Sequence, residues 1–333
     1  MKAFLHNSVG KIYSGIVLCG LLFSITTHAQ HLSLSTGTMR WEAGINVGPT
    51  FFLGDLGGNA GKGTRFLKDL NLELTKMMKG AFITVYPTEW LGFRVAGQLT
   101  YVEGKDNIIS TNGEDELWRK QRNLDFRSNI WEAYAAFEYY PTLMKADQME
   151  ELPRWRPYGI IGIGVFHFDP EGSLTDNRGN TTWYKLHPLR TEGQGMKEYP
   201  EKKSYALTQI NIPMGGGLRY QINDRFNSSI ELLYRKTFTD YIDDVSTTYI
   251  DPRYFDQYLS PADARIARAI HDKTVGIVTP GVNRYEPGTQ RGNSKQMDAY
   301  FSLVLKIGVA LGDVYGDRPD KRALKKLRCP HFF

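Results

Sequence analysis

Acid–base or nucleophilic chemistry in this chain would have to come from His167, His187 and His271, from Ser204, or from the aspartates Asp240, Asp243 and Asp244. Hydrolysis of the serine type needs a nucleophile, a base and an orienting acid delivered to one point. No spacing among these residues fixes three such groups together, and a histidine in a connecting loop is ordinarily solvated. The aspartates are hard oxygen ligands, but the evenly spaced ligand pattern of a Ca²⁺ loop is absent. They read instead as a solvated acidic rim at a strand end. The stretch GDLGGNAGKGT contains a Gly-Lys pair that invites a phosphate-loop reading. Leu56 stands where the first glycine is required and Gly63 where Ser or Thr is required, so the stretch reads as a surface loop. The sequence therefore predicts no catalysis, no metal and no cofactor.

A second set of charges has a different character, because each sits within an alternating apolar pattern. In Ser204–Asp240 the residues Ile210, Ile212, Met214, Gly216, Leu218, Tyr220 and Ile222 alternate with Gln209, Asn211, Pro213, Gly215, Gly217, Arg219 and Gln221. After a turn at Asn223-Asp224-Arg225, Phe226, Ile230, Leu232 and Tyr234 alternate with Ser229, Glu231, Leu233 and Arg235. Period two is the signature of a strand, so this is a hairpin with unusually long arms. Its polar face, of glycines with Arg219, Glu231 and Arg235, suits a narrow lumen in which opposite charges pair. The apolar face then looks outward into lipid, the reverse of a soluble barrel.

The same pattern recurs along the chain. The predicted strands are Arg40–Gly48, Gly80–Tyr86, Trp90–Glu103, Leu124–Tyr140, Tyr158–Phe168, the two arms of the hairpin, and Asp298–Leu311. Long connections, Pro49–Lys79, Gly104–Asn123, Asp169–Lys203 and Tyr241–Met297, alternate with short ones, and a helical stretch is expected at Pro261–Lys273. Eight strands joined in this way predict an all-β fold: an eight-stranded antiparallel up-and-down transmembrane β-barrel with long extracellular loops and turns in the periplasm. Tyr86, Trp90, Tyr139, Tyr140, Trp155 and Tyr158 near the turns are expected to form an interfacial girdle. The inward set places Arg94, Arg219, Arg235 and Lys306 beside Glu42, Glu132, Glu138 and Glu231. Near balance of sign predicts ion pairs that plug the lumen, because buried charges must be paired.

Bulk properties agree with this reading. With 33 Gly, 19 Tyr, 17 Phe and a mean hydropathy of −0.39, the chain is too polar for a helical membrane protein, yet rich in residues that barrels use. Residues 1–29 read as an export signal, with Lys2 and Lys11 ahead of an apolar run and cleavage expected after Ala29. Its removal takes away two lysines and no acid, so the net charge falls from +5 to +3, too balanced to argue for nucleic acid. Residues 30–311 form the barrel. Residues 312–333 form a basic tail carrying Lys321, Arg322, Lys325, Lys326 and Arg328, followed by Cys329, the single cysteine of the mature chain. An odd thiol in an oxidising compartment suggests an interchain bridge or a free reactive group.

Five phrases together resemble the PorG-type outer-membrane barrels of the Bacteroidota type IX protein secretion machinery. They are the signal ending near HAQ, FRSNIWEAYAAFEYYP, IPMGGGLRYQINDRF, YRKTFTDYIDDVS and the tail ending in LRCPHFF. The resemblance implies a non-enzymatic structural subunit, a multi-pass outer-membrane protein whose tail is periplasmic. It would touch outer-membrane lipid, a periplasmic ring lipoprotein of PorK type and that protein's PorN-type partner. It also implies an interchain disulfide at Cys329, with the Lys321–Arg328 run as the partner-binding tail. The alternative is a stand-alone barrel of the OmpA or OmpX sort, with a structural or surface-binding role. A lipid-modifying barrel enzyme is the third reading.

Overall fold

The computed structural model describes residues 39–56, 74–108, 114–146, 149, 151–274 and 285–311. The expected signal at 1–29 and the tail at 312–333, with Lys321, Arg322, Lys325, Lys326, Arg328 and Cys329, lie outside those residues, as does most of GDLGGNAGKGT. Among the described residues ten strands form: β1 (Arg40–Leu53), β2 (Lys76–Tyr86), β3 (Leu91–Lys105), β4 (Asp125–Tyr139), β5 (Trp155–His167), β6 (Pro170–Thr175), β7 (Thr181–Lys185), β8 (Thr208–Gln221), β9 (Phe226–Thr237) and β10 (Ala299–Leu311). Eight of them pair in the ring β1-β2-β3-β4-β5-β8-β9-β10, and β10 returns to β1. Every pairing is antiparallel between ring neighbours, so the sheet is a closed up-and-down barrel without a free edge.

The facing of the side chains follows from the strand period. On β4, Trp131, Phe137 and Tyr139 are exposed while Glu132, Tyr134, Ala136 and Glu138 are buried. On β3, Phe93, Val95 and Leu99 are exposed around a fully buried Arg94. Ile45, Ile163 and Ile230 are 62%, 61% and 58% exposed, whereas Arg94 and Arg235 are 0% exposed. Water would not tolerate that exterior, and hydrocarbon requires it. From Trp131 to Tyr139 the wall rises about 27 Å along the strand and about 20 Å along the axis at an ordinary barrel tilt, close to the apolar band of a membrane barrel. No helix among the described residues is long and apolar enough to cross a membrane.

The four long connections leave one end of the barrel, the cap end, and three short ones close the other, the turn end. Two prolines within ring strands, Pro49 and Pro213, interrupt a ladder without ending the strand, since proline has no N–H to donate. Pro49 sits where β1–β10 pairing skips from Val47↔Leu305 to Thr50↔Ser302, and Pro213 where β5–β8 pairing skips from Ile161↔Met214 to Gly164↔Asn211. The first strand therefore runs on to Leu53 past the Gly48 end expected from sequence. Likewise β2 starts at Lys76 rather than Gly80, and β5 at Trp155 rather than Tyr158.

The connections are folded where the sequence suggested solvated loops. The third long one contains the hairpin β6–β7, which adds to the cap end of β4 through Arg127↔Glu171 and Ser128↔Pro170. The second contains a helix, α1 (Glu114–Arg122), and the fourth contains α2 (Phe255–Tyr258) and α3 (Pro261–His271). Ser260 caps α3, its Oγ accepting from the Asp263 N–H at 3.2 Å. Leu124, Phe126, Phe168, Leu186, Leu189, Met196, Ile242, Ile250, Phe255 and Ile270 make one core above the barrel, continuous with Met78, Ile130, Phe166, Tyr300 and Val304 at the top of its lumen.

Two expectations about facing are overturned. Tyr86, Tyr140 and Tyr158 are 4%, 2% and 5% exposed and turn into the lumen, so they are not girdle residues; Tyr139 and Trp155 do lie outside, and Trp90 is half-buried, packed between Tyr139 and the buried tyrosines. The aspartates Asp240, Asp243 and Asp244 are buried at 4%, 0% and 0% exposure and are not a solvated rim. His271 is likewise buried within the cap.

Candidate functional site

The lumen holds four carboxylates and four basic side chains joined to them in tiers, and a fifth basic side chain, Arg156, is buried at the turn end, where its Nε donates to the Pro153 carbonyl at 2.9 Å. Nearest the turn end, the Arg219 guanidinium meets Glu42 at 2.6 Å and donates to the Tyr86 hydroxyl at 2.7 Å. Tyr86 and Tyr140 both donate to Glu138, at 3.0 and 2.7 Å. Arg94 bridges Glu138, which it contacts through Nε at 2.5 Å, to Glu231 at 2.7 Å. Glu231 also accepts from Tyr158 at 2.7 Å and from Lys306 at 3.2 Å. Toward the cap, Arg235 meets Glu132 at 3.2 Å, Gln98 at 2.6 Å and Ser302 at 2.5 Å, and Asn211 ties Glu132 to the Tyr300 hydroxyl.

Each strand of the ring delivers one or more of these groups at an inward position, and closure brings together residues as distant as Glu42 and Arg219. Each of the four carboxylates meets one or more of Arg94, Arg219, Arg235 and Lys306, the condition for burying them. Tyrosine hydroxyls, Gln98 and Asn211 complete the network; their inward parity was the signal that could have placed them. An eight-stranded barrel has room for little besides its own side chains. This lumen is a sealed polar core.

The candidates for catalysis do not assemble. His167 ends β5 on the outer wall, its Nδ1 at 3.0 Å from the Thr208 hydroxyl and its ring stacked on Trp131 at 5.4 Å. His187 Nε2 donates to the Tyr205 carbonyl at 2.9 Å. His271 Nδ1 donates to the Thr191 carbonyl at 2.6 Å, and burial with nearby Arg291 pulls its pKa down to about 4, so the ring is neutral. Ser204 is exposed on the cap surface. Among the described residues no three His, Cys, Asp or Glu side chains group to hold a metal ion.

The cap has its own buried polar frame, which sequence reasoning missed. Arg122 of α1 meets Asp106 at 2.7 Å and donates to the carbonyls of Asp55 and Arg291. Arg291 meets Glu192 at 3.0 Å and donates to the Asp244 carbonyl, while Glu192 accepts from the Ser246 and Thr247 N–H groups. Asp244, at a positive φ of 61°, accepts from Tyr205 at 2.7 Å and from Thr191; burial outweighs these contacts and raises its pKa to about 6. Asp243 takes the Leu56 N–H, Asp298 the Ile242 N–H and Asp55 the Asn293 N–H, stitching three segments at the rim. Burial raises the pKa of all three, and Asp240 beside them is pushed up to about 8 by the same cause.

No protein-family model matches the sequence, and no curated protein matches it significantly. Solved outer-membrane barrels are similar to it. Ail, the attachment invasion locus protein of Yersinia pestis, solved in complex with the heparin analogue sucrose octasulfate, is 8% identical, with 81% of this chain and 99% of that one covered and a TM-score of 0.32. A major outer membrane protein from Thermus thermophilus is 10% identical over 81% of this chain and 99% of that one, with a TM-score of 0.35. The outer membrane protein OprG of Pseudomonas aeruginosa is 10% identical over 83% of this chain and 96% of that one, with a TM-score of 0.29.

Proposed function

We propose that this protein is a non-conducting, non-enzymatic barrel of the outer membrane that works as a structural anchor. The observation that carries this is the lumen: eight buried charges paired through the barrel's height leave no polar path, and the core of the cap closes one end. The test is planar-bilayer recording with the refolded chain. No steady conductance is expected, whereas a stable ohmic step seen with wild type would end the proposal.

The finer reading is that the anchor serves the type IX secretion machinery, holding the periplasmic PorK-type lipoprotein and its PorN-type partner at the membrane. Its support is in the sequence: the basic run Lys321–Arg328 followed by Cys329 beyond the last strand, and the phrases shared with PorG-type barrels. Both chain ends of the barrel leave at the turn end, where a periplasmic tail belongs. Membranes run on a non-reducing gel test it. Wild type is expected to show a higher-mass, thiol-sensitive band that Cys329→Ser removes; absence of the band in wild type leaves the stand-alone barrel as the better reading.

A further inference from the structure

The cap-end rim of the barrel buries more carboxylates than cations. Asp55 follows β1, Asp240 and Asp243 open the fourth long connection, and Asp298 closes it just before β10. Asp298 is 1% exposed, buried like Asp240 and Asp243, and Asp55 is half-buried. Their charges act on one another, with Asp243 facing Asp55 and Asp240, and Asp298 facing the other three. The elements packed around them bring Arg122 of α1 and two further carboxylates, Asp106 and Glu192. Asp106 already holds Arg122 at 2.7 Å, and Arg291 holds Glu192 at 3.0 Å. Among the described residues no cation is left over for the four aspartates.

Hydrogen bonds account for only part of their oxygens. Asp243 takes the Leu56 N–H at 3.1 Å and the Val245 N–H at 3.0 Å, Asp298 Oδ2 takes the Ile242 N–H at 2.8 Å, and Asp55 Oδ2 takes the Asn293 N–H at 2.5 Å. Asp298 Oδ1 and both oxygens of Asp240 are buried, and no described residue gives them a hydrogen bond; Ser246 stands beside Asp240 outside hydrogen-bond geometry. Backbone crowds the group as well. A Cβ at Gly54 would strike Asp298 Oδ1, and one at Gly292 would sit 2.6 Å from Asp55 Oδ2. Ionised carboxylates in such a place are costly, whereas a proton removes the charge and makes one oxygen a donor to a neighbouring carboxylate.

We propose that Asp55, Asp240, Asp243 and Asp298 form a proton-operated latch, closed while they share protons and released when they ionise, that holds the first and fourth long connections down on the barrel's rim. Leu56 carries the first connection into the core of the cap, so loss of its bond to Asp243 frees that connection while the ring stays paired. Burial raises the pKa of all four, that of Asp240 to about 8. As pH rises from about 4 toward 8, the closed latch keeps protons that the open one gives up, so acid favours closure and alkali release. The latch depends on neither the anchor nor the secretion reading.

Hydrogen exchange of the refolded full chain in detergent micelles between pH 5 and 8, corrected for the intrinsic rate, tests it. Protection across residues 54–56 and 240–246 is expected to fall together, about tenfold per pH unit for each proton released, while the β3–β4 ladder holds. Asp240→Asn with Asp298→Asn puts neutral amides where the protonated acids stand and is expected to leave these segments about tenfold or more better protected than wild type at pH 8. Asp224→Asn, at the turn end, is expected to keep the wild-type slope. Fast mobility on unheated gels shows that each variant has folded. Protection independent of pH in wild type, or a wild-type slope in the folded double variant, would overturn the latch. So would full protection of wild type at pH 8 on adding millimolar Ca²⁺, which would make the cluster a cation site instead.

Discussion

Glu231 shows how much one side chain carries in this lumen. It faces Arg94, Lys306 and the Tyr158 hydroxyl with no water-filled space between. Replacement by Gln leaves two buried cations facing one neutral amide, and losing one partner of such a group costs about 3–5 kcal/mol. Glu231→Gln is therefore expected to lower the urea midpoint of the refolded barrel strongly, read by gel mobility. The pair variant Glu231→Gln with Lys306→Met is expected to recover part of the loss; if the single change is silent, the network is not what stabilises the lumen. At the rim the sign differs. Asp240 binds its proton more tightly folded than unfolded, so between pH 4 and about 8 the native state holds more protons and stability falls as pH rises. His271 binds its proton less tightly folded, so its contribution grows as pH rises from about 4 to 6.5. Protease protection of the cap is thus expected to peak on the acid side of neutrality. Asp240→Asn should flatten the alkaline fall rather than weaken the cap at pH 8.

Among the elements, β4 and β5 approach each other closely where glycine allows it. A Cβ at Gly162 would sit 2.2 Å from the Ala135 carbonyl, backbone that cannot yield. Gly162→Val is expected to block closure, seen as loss of the fast-migrating folded form, whereas Gly97→Ala, with open space outside, should be tolerated. The strands themselves were legible in the sequence because period two survives along β3, β4, β8, β9 and β10. What misled was treating aromatic identity as stronger evidence than parity: Tyr86 and Tyr158 stand at inward positions, and their hydroxyls reach Glu138 and Glu231. Ends set by Pro49 and Pro157 fell short because a proline removes one hydrogen bond without ending a strand whose other edge is paired.

For the molecule as a whole, the barrel was readable and the cap was not. A strand pattern repeats every second residue, but the cap's core collects Leu124, Leu186, Ile250 and Ile270 from separate connections with no common period. The partners of the lumen charges were equally hidden, since Glu42 and Arg219 meet only once the ring has closed. Burial of Asp243 and Asp244 follows from that packing, so no local reading of DYIDDVS could distinguish it from an exposed acidic turn. At this scale the expected behaviour is joint melting. Because Phe166 and Tyr300 belong both to the lumen's top and to the cap's core, Phe166→Ala should raise hydrogen exchange in α3 as well as in β5, and exchange confined to β5 would show the two parts to be independent.

The first strand pairs with the last, and that fixes an order of events in biogenesis. Until β10 zips onto β1, neither Asp298 nor Tyr300 is in place to floor the dome, and the segments that build it are still threads. They can take their final packing only once the ring beneath them has closed, because Phe166 and Tyr300 at its top belong to the same core. The protein is therefore assembled like a ship in a bottle, with its outermost part the last to acquire a shape.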